Sequence, residues 1–145
     1  MEWASGLIEQ STPFREAIRA AGLRATRQRM ALAELIFGSG HRHISAEQLH
    51  CEARAADIPV SLATIYNTLH QFTEAGLLRE ILVDPRRSYF DTNTSVHPHL
   101  YFEDDGQVED IPSTELERMN LPQLPEGMRV SAIDMVVRVR RTEAA

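Results

Sequence analysis

One stretch decides the fold of this 145-residue chain: Ser61-Leu62-Ala63-Thr64-Ile65-Tyr66-Asn67-Thr68-Leu69-His70-Gln71-Phe72-Thr73-Glu74-Ala75-Gly76. Its apolar residues recur at the spacing of a helix with one buried face, and they are Leu62, Ile65, Leu69 and Phe72. Ser61 is a favoured N-cap residue, and Gly76 is a common helix terminator. The stretch therefore predicts a helix between these two residues, with short polar and apolar groups on its remaining surface.

Three more helices are predicted before this stretch. The first has Thr12 as its N-cap and Pro13 at its first position, and Gly22 ends it. The second runs from a Thr26 cap to about Phe37, and the third starts at Ser45 and ends before Asp57-Ile58-Pro59. Their predicted buried faces contain Phe14, Ile18 and Ala21, then Met30, Ala33, Ile36 and Phe37, and finally Ala46, Leu49, Ala53 and Ala56.

After Gly76 the apolar period changes from 3.6 to 2. Leu77–Val83 and Arg87–Asp91 flank Asp84-Pro85-Arg86, which is typical of a hairpin. Three helices followed by a hairpin is the order of a winged helix-turn-helix. Residues 1–91 are therefore predicted to form a DNA-binding domain.

Residues 92–145 are predicted to form a small α/β dimerisation domain, which makes the fold class α+β. We expect strands at His99–Glu103 and Gln107–Ile111, a short helix at Thr114–Met119 and a long strand at Met128–Arg140. In the long strand Ile133, Met135, Val137 and Val139 alternate with other residues. A layer this thin cannot bury both of its faces, so we expect dimerisation through this half, around the C-terminal strand.

The net charge of −6 is unevenly distributed. Residues 1–90 have ten arginines and ten acidic residues, whereas residues 91–145 have five arginines and eleven acidic residues. The first half therefore remains compatible with DNA. No apolar run is long enough for a membrane span, and Met1–Gln10 lacks the basic start of a signal peptide. The single cysteine, Cys51, excludes an internal disulfide and a four-cysteine zinc site within one chain. We expect Cys51 to be buried or half-buried, and we expect a cytoplasmic protein.

The predicted DNA-binding residues lie on the fourth helix and around it. Short side chains near the N-terminus of a helix can approach base edges, and arginines suit phosphates and narrow minor grooves. The set is Ser61, Ala63, Thr64, Tyr66 and Asn67 on the helix, Arg24, Arg27 and Arg29 near the second helix, and Arg86 and Arg87 at the wing.

A second candidate set contains metal-ligating side chains. His97 and His99 are two residues apart on a predicted extended segment, so their imidazoles point to the same side and can share one metal or haem. The candidate ligands are His41, His43, Asp91, His97, His99, Asp110 and the acidic residues 103–105. Imidazoles with carboxylates suit Fe(II), Mn(II), Co(II) or Zn(II), whereas structural zinc prefers thiolates. Ligands from both domains would let metal binding fix the angle of a hinge.

The chain resembles the ferric uptake regulator (Fur) superfamily over about residues 13–140. The matching stretches are Gly22–Arg29, His43–Glu47, Ser61–Leu69 and Ala75–Leu77. This resemblance implies a winged-helix domain, an α/β dimerisation domain, a homodimer and A/T-rich palindromic operators in double-stranded DNA. It also implies that His43, Asp91, His97, His99 and Asp110 form the regulatory metal site, with Asp at 91 and 110 where Glu is more common.

Within the superfamily the chain resembles the iron response regulator (Irr) branch most. The stretches that carry this resemblance are Thr26–Leu32, Tyr89–Asn93, Pro125–Met128 and Ile133–Arg138. It implies haem sensing and DNA binding under iron limitation. Phe102 and Asp105 stand where Fur proteins have a zinc-binding Cys-x-x-Cys pair, so no structural zinc is expected. Pro98 replaces the middle histidine of the haem-linked motif, and Val96 and Pro98 leave no accessory metal site.

Three functions follow from these patterns. The first is a regulator of iron or haem homeostasis, modulated by haem or by a divalent metal (Fe, Mn or Zn). The second is a Fur-like corepressor that requires Fe(II) or Mn(II) for DNA binding. The third is a small metalloenzyme, which is disfavoured because no general base or nucleophile stands out. We therefore expect a non-enzymatic regulator.

Overall fold

The computed structural model describes residues 12–143, and it divides into two compact units between Thr94 and Ser95. The domain boundary predicted from the sequence lies after Asp91, and the roles given to the two domains stay predictions. Met1–Gln10, whose sequence predicts that it is not a signal peptide, lies outside the described residues. No helix within residues 12–143 combines the length and the apolar character that crossing a bilayer requires.

Among the described residues, the first unit contains four helices: α1 (Thr12–Ala20), α2 (Arg27–Phe37), α3 (Ala46–Ala55) and α4 (Leu62–Glu74). The predicted Thr26 cap and the predicted helix starts at Ser45 and Ser61 are confirmed. All three residues are N-caps, because their hydroxyls each accept a hydrogen bond from the backbone N–H three residues later. Helix α1 already includes Thr12, so Thr12 is not its N-cap, and the side chains of Thr12 and Pro13 lie outside the described ones.

The core of the first unit lies between these helices. It includes the predicted Ile18, Met30, Ala33, Ile36, Ala46, Leu49, Ala53, Ile65, Leu69 and Phe72, together with Leu32, Ile44, Leu78 and Phe90. Two predictions for the third helix were wrong. Cys51 is exposed because it lies on the face of α3 opposite Leu49 and Ala53. Ala56 is exposed because the helix ends at Ala55, before the left-handed Asp57.

An antiparallel sheet completes the first unit. It contains β1 (His43–Ile44), β2 (Arg79–Asp84) and β3 (Arg87–Asp91) in the order β1-β3-β2. The hairpin is confirmed with a tighter turn at Pro85-Arg86, since Asp84 pairs with Arg87. The first strand of the hairpin does not start at Leu77, because the backbone N–H groups of Leu77 and Leu78 donate to Phe72 at the end of α4. Strand β1 was not predicted, since two residues are too short for a periodic signal.

The second unit contains β4 (His99–Phe102), β5 (Val108–Asp110), α5 (Thr114–Glu117) and β6 (Val136–Val139). The sheet order is β5-β4-β6, with β5 antiparallel and β6 parallel to β4. The predicted strand from Met128 to Arg140 was wrong in length, because only residues 136–139 are strand. The neighbouring β4 has four residues, and each residue of β6 pairs with one of them. Alternation alone cannot extend a strand beyond its hydrogen-bonding partner.

Candidate functional site

The second unit brings two imidazoles and a carboxylate together. His97 and His99 are 4% and 3% exposed, and their Nε2 atoms lie 2.9 and 3.3 Å from the same oxygen, Oδ1 of Asp110. Asp110 faces His99 because the two residues are partners in the β4–β5 ladder. Candidate donor atoms of all three residues lie within 4.8 Å of one another. Buried, converging nitrogen and oxygen donors of this kind suit a divalent first-row metal.

The residues around this group orient His97 and Pro98. The Nδ1 atom of His97 lies 2.7 Å from the carbonyl oxygen of Ser95. A ring nitrogen facing a carbonyl oxygen has to carry a proton, so the other nitrogen can offer its lone pair to a metal. Pro98 is fully buried, and its carbonyl oxygen accepts a hydrogen bond from the Ile111 N–H. This bond fixes the backbone between His97 and His99, and the proline, which has no N–H, leaves no buried donor there without a partner.

The first unit contains the other two predicted ligands. Asp91 is 0% exposed, and its Oδ2 atom lies 3.1 Å from Nε2 of His43, its partner in the β1–β3 ladder. The other oxygen, Oδ1, accepts the Asn93 N–H at 2.9 Å and lies 3.6 Å from Nδ1 of His41. A buried carboxylate needs such partners to remain charged. Within the first unit the two side chains form an internal ion pair, and their donor atoms are also of the kinds that bind a divalent metal.

Arg42 anchors the strand that carries His43. Its guanidinium donates two hydrogen bonds of 2.8 Å to the carboxylate of Glu52 on α3 and a third, of 3.1 Å, to the Leu35 carbonyl oxygen on α2. Its backbone N–H donates to Oγ1 of Thr92 at 2.9 Å, and this hydroxyl also contacts Nδ1 of His41. Sequence reasoning missed this anchor, because nothing in the spacing of Arg42 and Glu52 pairs them.

The predicted DNA-binding residues of α4 share one end of the helix. Ala63 and Asn67 are exposed, whereas Thr64 and Tyr66 are half-buried. Ser61 is engaged as the N-cap, and its hydroxyl lies 2.9 Å from that of Thr64. The Tyr66 O–H donates to Oε1 of Glu47 on α3 at 2.6 Å, and the Tyr66 ring stacks with His70 at 6.4 Å between centroids. Sequence reasoning did not single out Glu47.

The five predicted arginines differ in their surroundings. Arg24, Arg27, Arg86 and Arg87 are exposed. Arg29 is half-buried, and its guanidinium donates to the Arg24 carbonyl oxygen and to Oε1 of Gln71, both at 2.8 Å. Arg29 therefore ties α2 to α4, which leaves fewer of its donors for a phosphate than a fully solvated arginine has.

The sequence model of the ferric uptake regulator family matches residues 20–138. The chain belongs to the ferric uptake regulator family. The peroxide-responsive repressor PerR of Staphylococcus aureus (strain Mu50 / ATCC 700699) is 35% identical over 104 residues, which are 71% of this chain and 69% of PerR. Members of this family are transcriptional regulators, and this chain is therefore a Fur-family transcriptional regulator.

Solved Fur structures have the same fold. The ferric uptake regulator from Pseudomonas aeruginosa with manganese is 27% identical, with a TM-score of 0.68, covering 89% of this chain and 98% of that one. Fur from Vibrio cholerae is 24% identical, with a TM-score of 0.72, covering 88% and 98%. The predicted α+β class, with an N-terminal winged helix and a small α/β dimerisation domain, is confirmed by these similarities. The Irr resemblance stays a prediction, since these relatives are PerR and Fur proteins.

Proposed function

We propose that this Fur-family regulator binds operator DNA through α4 and that a divalent metal controls its affinity for the operator. The observation that carries the proposal is the buried pair His97 and His99, whose Nε2 atoms converge on one oxygen of Asp110. Buried imidazoles and carboxylates are costly unless they pair or bind a metal. In a regulator, such a cluster is suited to sensing.

The donor set decides which metals fit. We propose that three imidazoles and two carboxylates bind one metal ion. These ligands belong to His43, Asp91, His97, His99 and Asp110. The manganese found with the related Pseudomonas aeruginosa protein supports Mn(II) as the first metal to test, and Fe(II) and Zn(II) suit the same donors. When bound, the metal supplies a positive charge that holds these ligands together. The chain's own residues orient them, through Ser95 beside His97 and Asn93 beside Asp91.

For DNA we propose an A/T-rich palindromic operator bound by a homodimer. Ser61, Ala63, Thr64, Tyr66 and Asn67 would face the major groove, with Arg24, Arg27, Arg29, Arg86 and Arg87 near phosphates or the minor groove. A two-fold symmetric dimer explains the palindrome, because each protomer reads one half-site.

A second candidate is a haem-responsive regulator of the Irr type, active under iron limitation. It is supported by the Irr-like stretches, including Tyr89–Asn93 and Pro125–Met128. The burial of His97 and His99 against Asp110 favours a compact ion over a haem, which needs an open face for its ring. The two candidates predict opposite changes in DNA affinity. Metal raises the affinity in the first candidate, and haem lowers it in the second.

The test is a titration of purified protein with Mn(II), and separately with haem, while its affinity for an A/T-rich palindrome is measured at fixed salt. We expect Mn(II) to raise the affinity by about tenfold or more, which corresponds to an ordinary allosteric coupling free energy. The double substitution His97→Ala with His99→Ala should abolish the response while DNA binding without metal survives.

Two variants control for incidental ligands. His50→Ala removes a histidine outside the predicted set, and Cys51→Ser removes the exposed thiol. Both should respond to Mn(II) as the unmodified chain does. An unchanged response in the His97/His99 double variant would contradict the metal proposal. Loss of DNA binding on haem addition, with no effect of Mn(II), would favour the second candidate.

A further inference from the structure

The hydrogen bond between Tyr66 and Glu47 joins two helices of the winged-helix unit at their N-terminal ends. Glu47 is in the first turn of α3, and Tyr66 follows the N-cap of α4 by five residues. The Tyr66 O–H donates to Oε1 of Glu47 over 2.6 Å, a short and charge-assisted bond. The same contact, together with desolvation, raises the pKa of the Tyr66 phenol above 10.0.

Glu47 changes what Tyr66 can offer to a ligand. A tyrosine hydroxyl has one proton to donate and lone pairs that accept. Because the proton is directed at Glu47, the phenol oxygen has only lone pairs left for any group outside the protein. Tyr66 is also oriented by its stacking on His70, whose ring contacts Phe90 of β3 edge-on at 5.6 Å between centroids. Glu47 therefore fixes the hydroxyl of Tyr66, and His70, one turn later on α4, fixes its ring.

We propose that Glu47 is a positioning residue that makes Tyr66 an acceptor-only reader of operator DNA. The inference rests on the proposed function, in which α4 faces the major groove. There the amino groups of adenine and cytosine donate, whereas guanine O6 and N7, thymine O4 and the phosphates accept. A phenol oxygen that can only accept forms a hydrogen bond with a base amino group. It forms none with guanine O6 or N7, thymine O4 or a phosphate, because these groups also only accept. Glu47 thus determines specificity at one base pair without touching the DNA.

The carboxylate has a second, separate effect. A negative charge beside the DNA surface repels phosphates and lowers affinity for every sequence alike. Glu47→Gln removes the charge but keeps an amide oxygen that accepts the tyrosine proton, whereas Glu47→Ala removes both. The two substitutions therefore separate general electrostatic repulsion from control of the hydroxyl proton.

The experiment starts with the full-length chain, with and without Mn(II), selecting sequences from a random pool of double-stranded DNA. The selected sequence serves as the reference operator. Each base pair of one half-site is then substituted singly, and Kd values are measured at fixed salt. We expect one position at which a base pair presenting an amino group to Tyr66 is preferred by about fivefold or more.

The variants give the decisive comparison. Glu47→Ala should reduce the preference at that position to about twofold or less, because the freed O–H can donate to acceptors. Glu47→Gln should keep the preference, and both variants should bind all sequences more tightly. Tyr66→Phe should abolish the preference, and adding Glu47→Ala to it should change nothing further at that position. Thermal unfolding midpoints confirm that each variant is folded at the temperature of the binding measurements; we expect only a small decrease for Glu47→Ala, since Glu47 is exposed.

Two results would overturn the inference. One is identical base preferences in the Glu47→Ala and Glu47→Gln variants at every position. The other is a uniform loss of binding by Glu47→Ala with its preferences intact, which indicates a purely structural contact. If the unmodified chain selects no sequence in either metal state, the proposed function itself fails, and this outcome is distinct from both.

Discussion

Asp110 is the side chain on which the metal proposal for the second unit depends most. One of its oxygens contacts the Nε2 atoms of both His97 and His99, which are almost fully buried. The Asp110 side chain itself remains 30% exposed, so it lies between the two buried imidazoles and the solvent. In the proposed metal site, an ion would reach the imidazoles from that side, and the carboxylate would contribute the negative charge that a divalent cation needs.

Asp110→Asn removes this charge while keeping nearly the same size and shape. We expect the affinity for Mn(II) to fall by about tenfold or more, a typical loss for a group at a metal site. Glu109→Gln is the matched control, because Glu109 precedes Asp110 on β5, is exposed and undergoes the same change in charge. Calorimetric titration with Mn(II) measures both variants. Equal losses in both would indicate a general electrostatic effect rather than ligation.

At the scale of elements, the winged-helix unit is stabilised by contacts that neighbouring residues in the chain do not predict. Arg42 joins the short strand β1 to α2 and α3 through Leu35 and Glu52. The pair with Glu52 is bidentate and partly buried, which makes it stronger than an ordinary surface ion pair. Since β1 carries His43, this anchor also holds a predicted metal ligand in place.

A double-mutant cycle with Arg42→Lys and Glu52→Gln measures this contact. We expect a coupling free energy of about 1 kcal/mol, because lysine keeps the charge but cannot form the two-pronged contact. Urea unfolding followed by far-ultraviolet circular dichroism gives the free energies of unfolding. Arg118→Lys with Glu115→Gln is the control cycle, since that pair is exposed and 3.8 Å apart. Its coupling should be close to zero, and equal coupling in both cycles would contradict the anchoring role of Arg42.

At the scale of the whole molecule, the exposed large apolar side chains are concentrated in the second unit. Within residues 12–143 this group comprises Val96, Met119, Leu121, Leu124, Met128, Val130 and Val137, each 40–67% exposed, whereas the first unit contributes Leu82. Apolar surface of this extent is usually covered by a partner. Strand β6, which carries Val137, is also an edge of its sheet and can pair with another strand. We therefore propose that the second unit forms the homodimer.

Val137→Lys places a charge on this edge strand, and edge lysines oppose strand pairing. We expect the dimer dissociation constant to rise by about tenfold or more, because an apolar contact is lost and a charge is desolvated. Leu82→Lys is the control, since Leu82 is equally apolar, 65% exposed and located on the wing strand β2. Sedimentation velocity over a range of concentrations measures both variants. If Leu82→Lys raised the dimer dissociation constant and Val137→Lys did not, the dimer interface would lie on the first unit.

The sequence by itself determined the features that depend on near neighbours in the chain. Thr26, Ser45 and Ser61 cap helices, and the apolar stripe of α4 turns inward, because these effects act within one or two helical turns. The family and its fold class followed from such local stretches. The metal and DNA ligands named from the sequence, His97 and Tyr66 among them, remain predictions that the proposed experiments test.

Only the tertiary structure decided which distant residues meet. It paired Glu47 with Tyr66 and Arg42 with Glu52, and it put Cys51 on the surface. It also shortened the C-terminal strand to Val136–Val139, because β4 offers no more residues for pairing. Such outcomes depend on how helices and strands pack against one another, and the periodicity of a single segment carries no information about its partner. The ligand and specificity contacts proposed for this regulator therefore depend on packing.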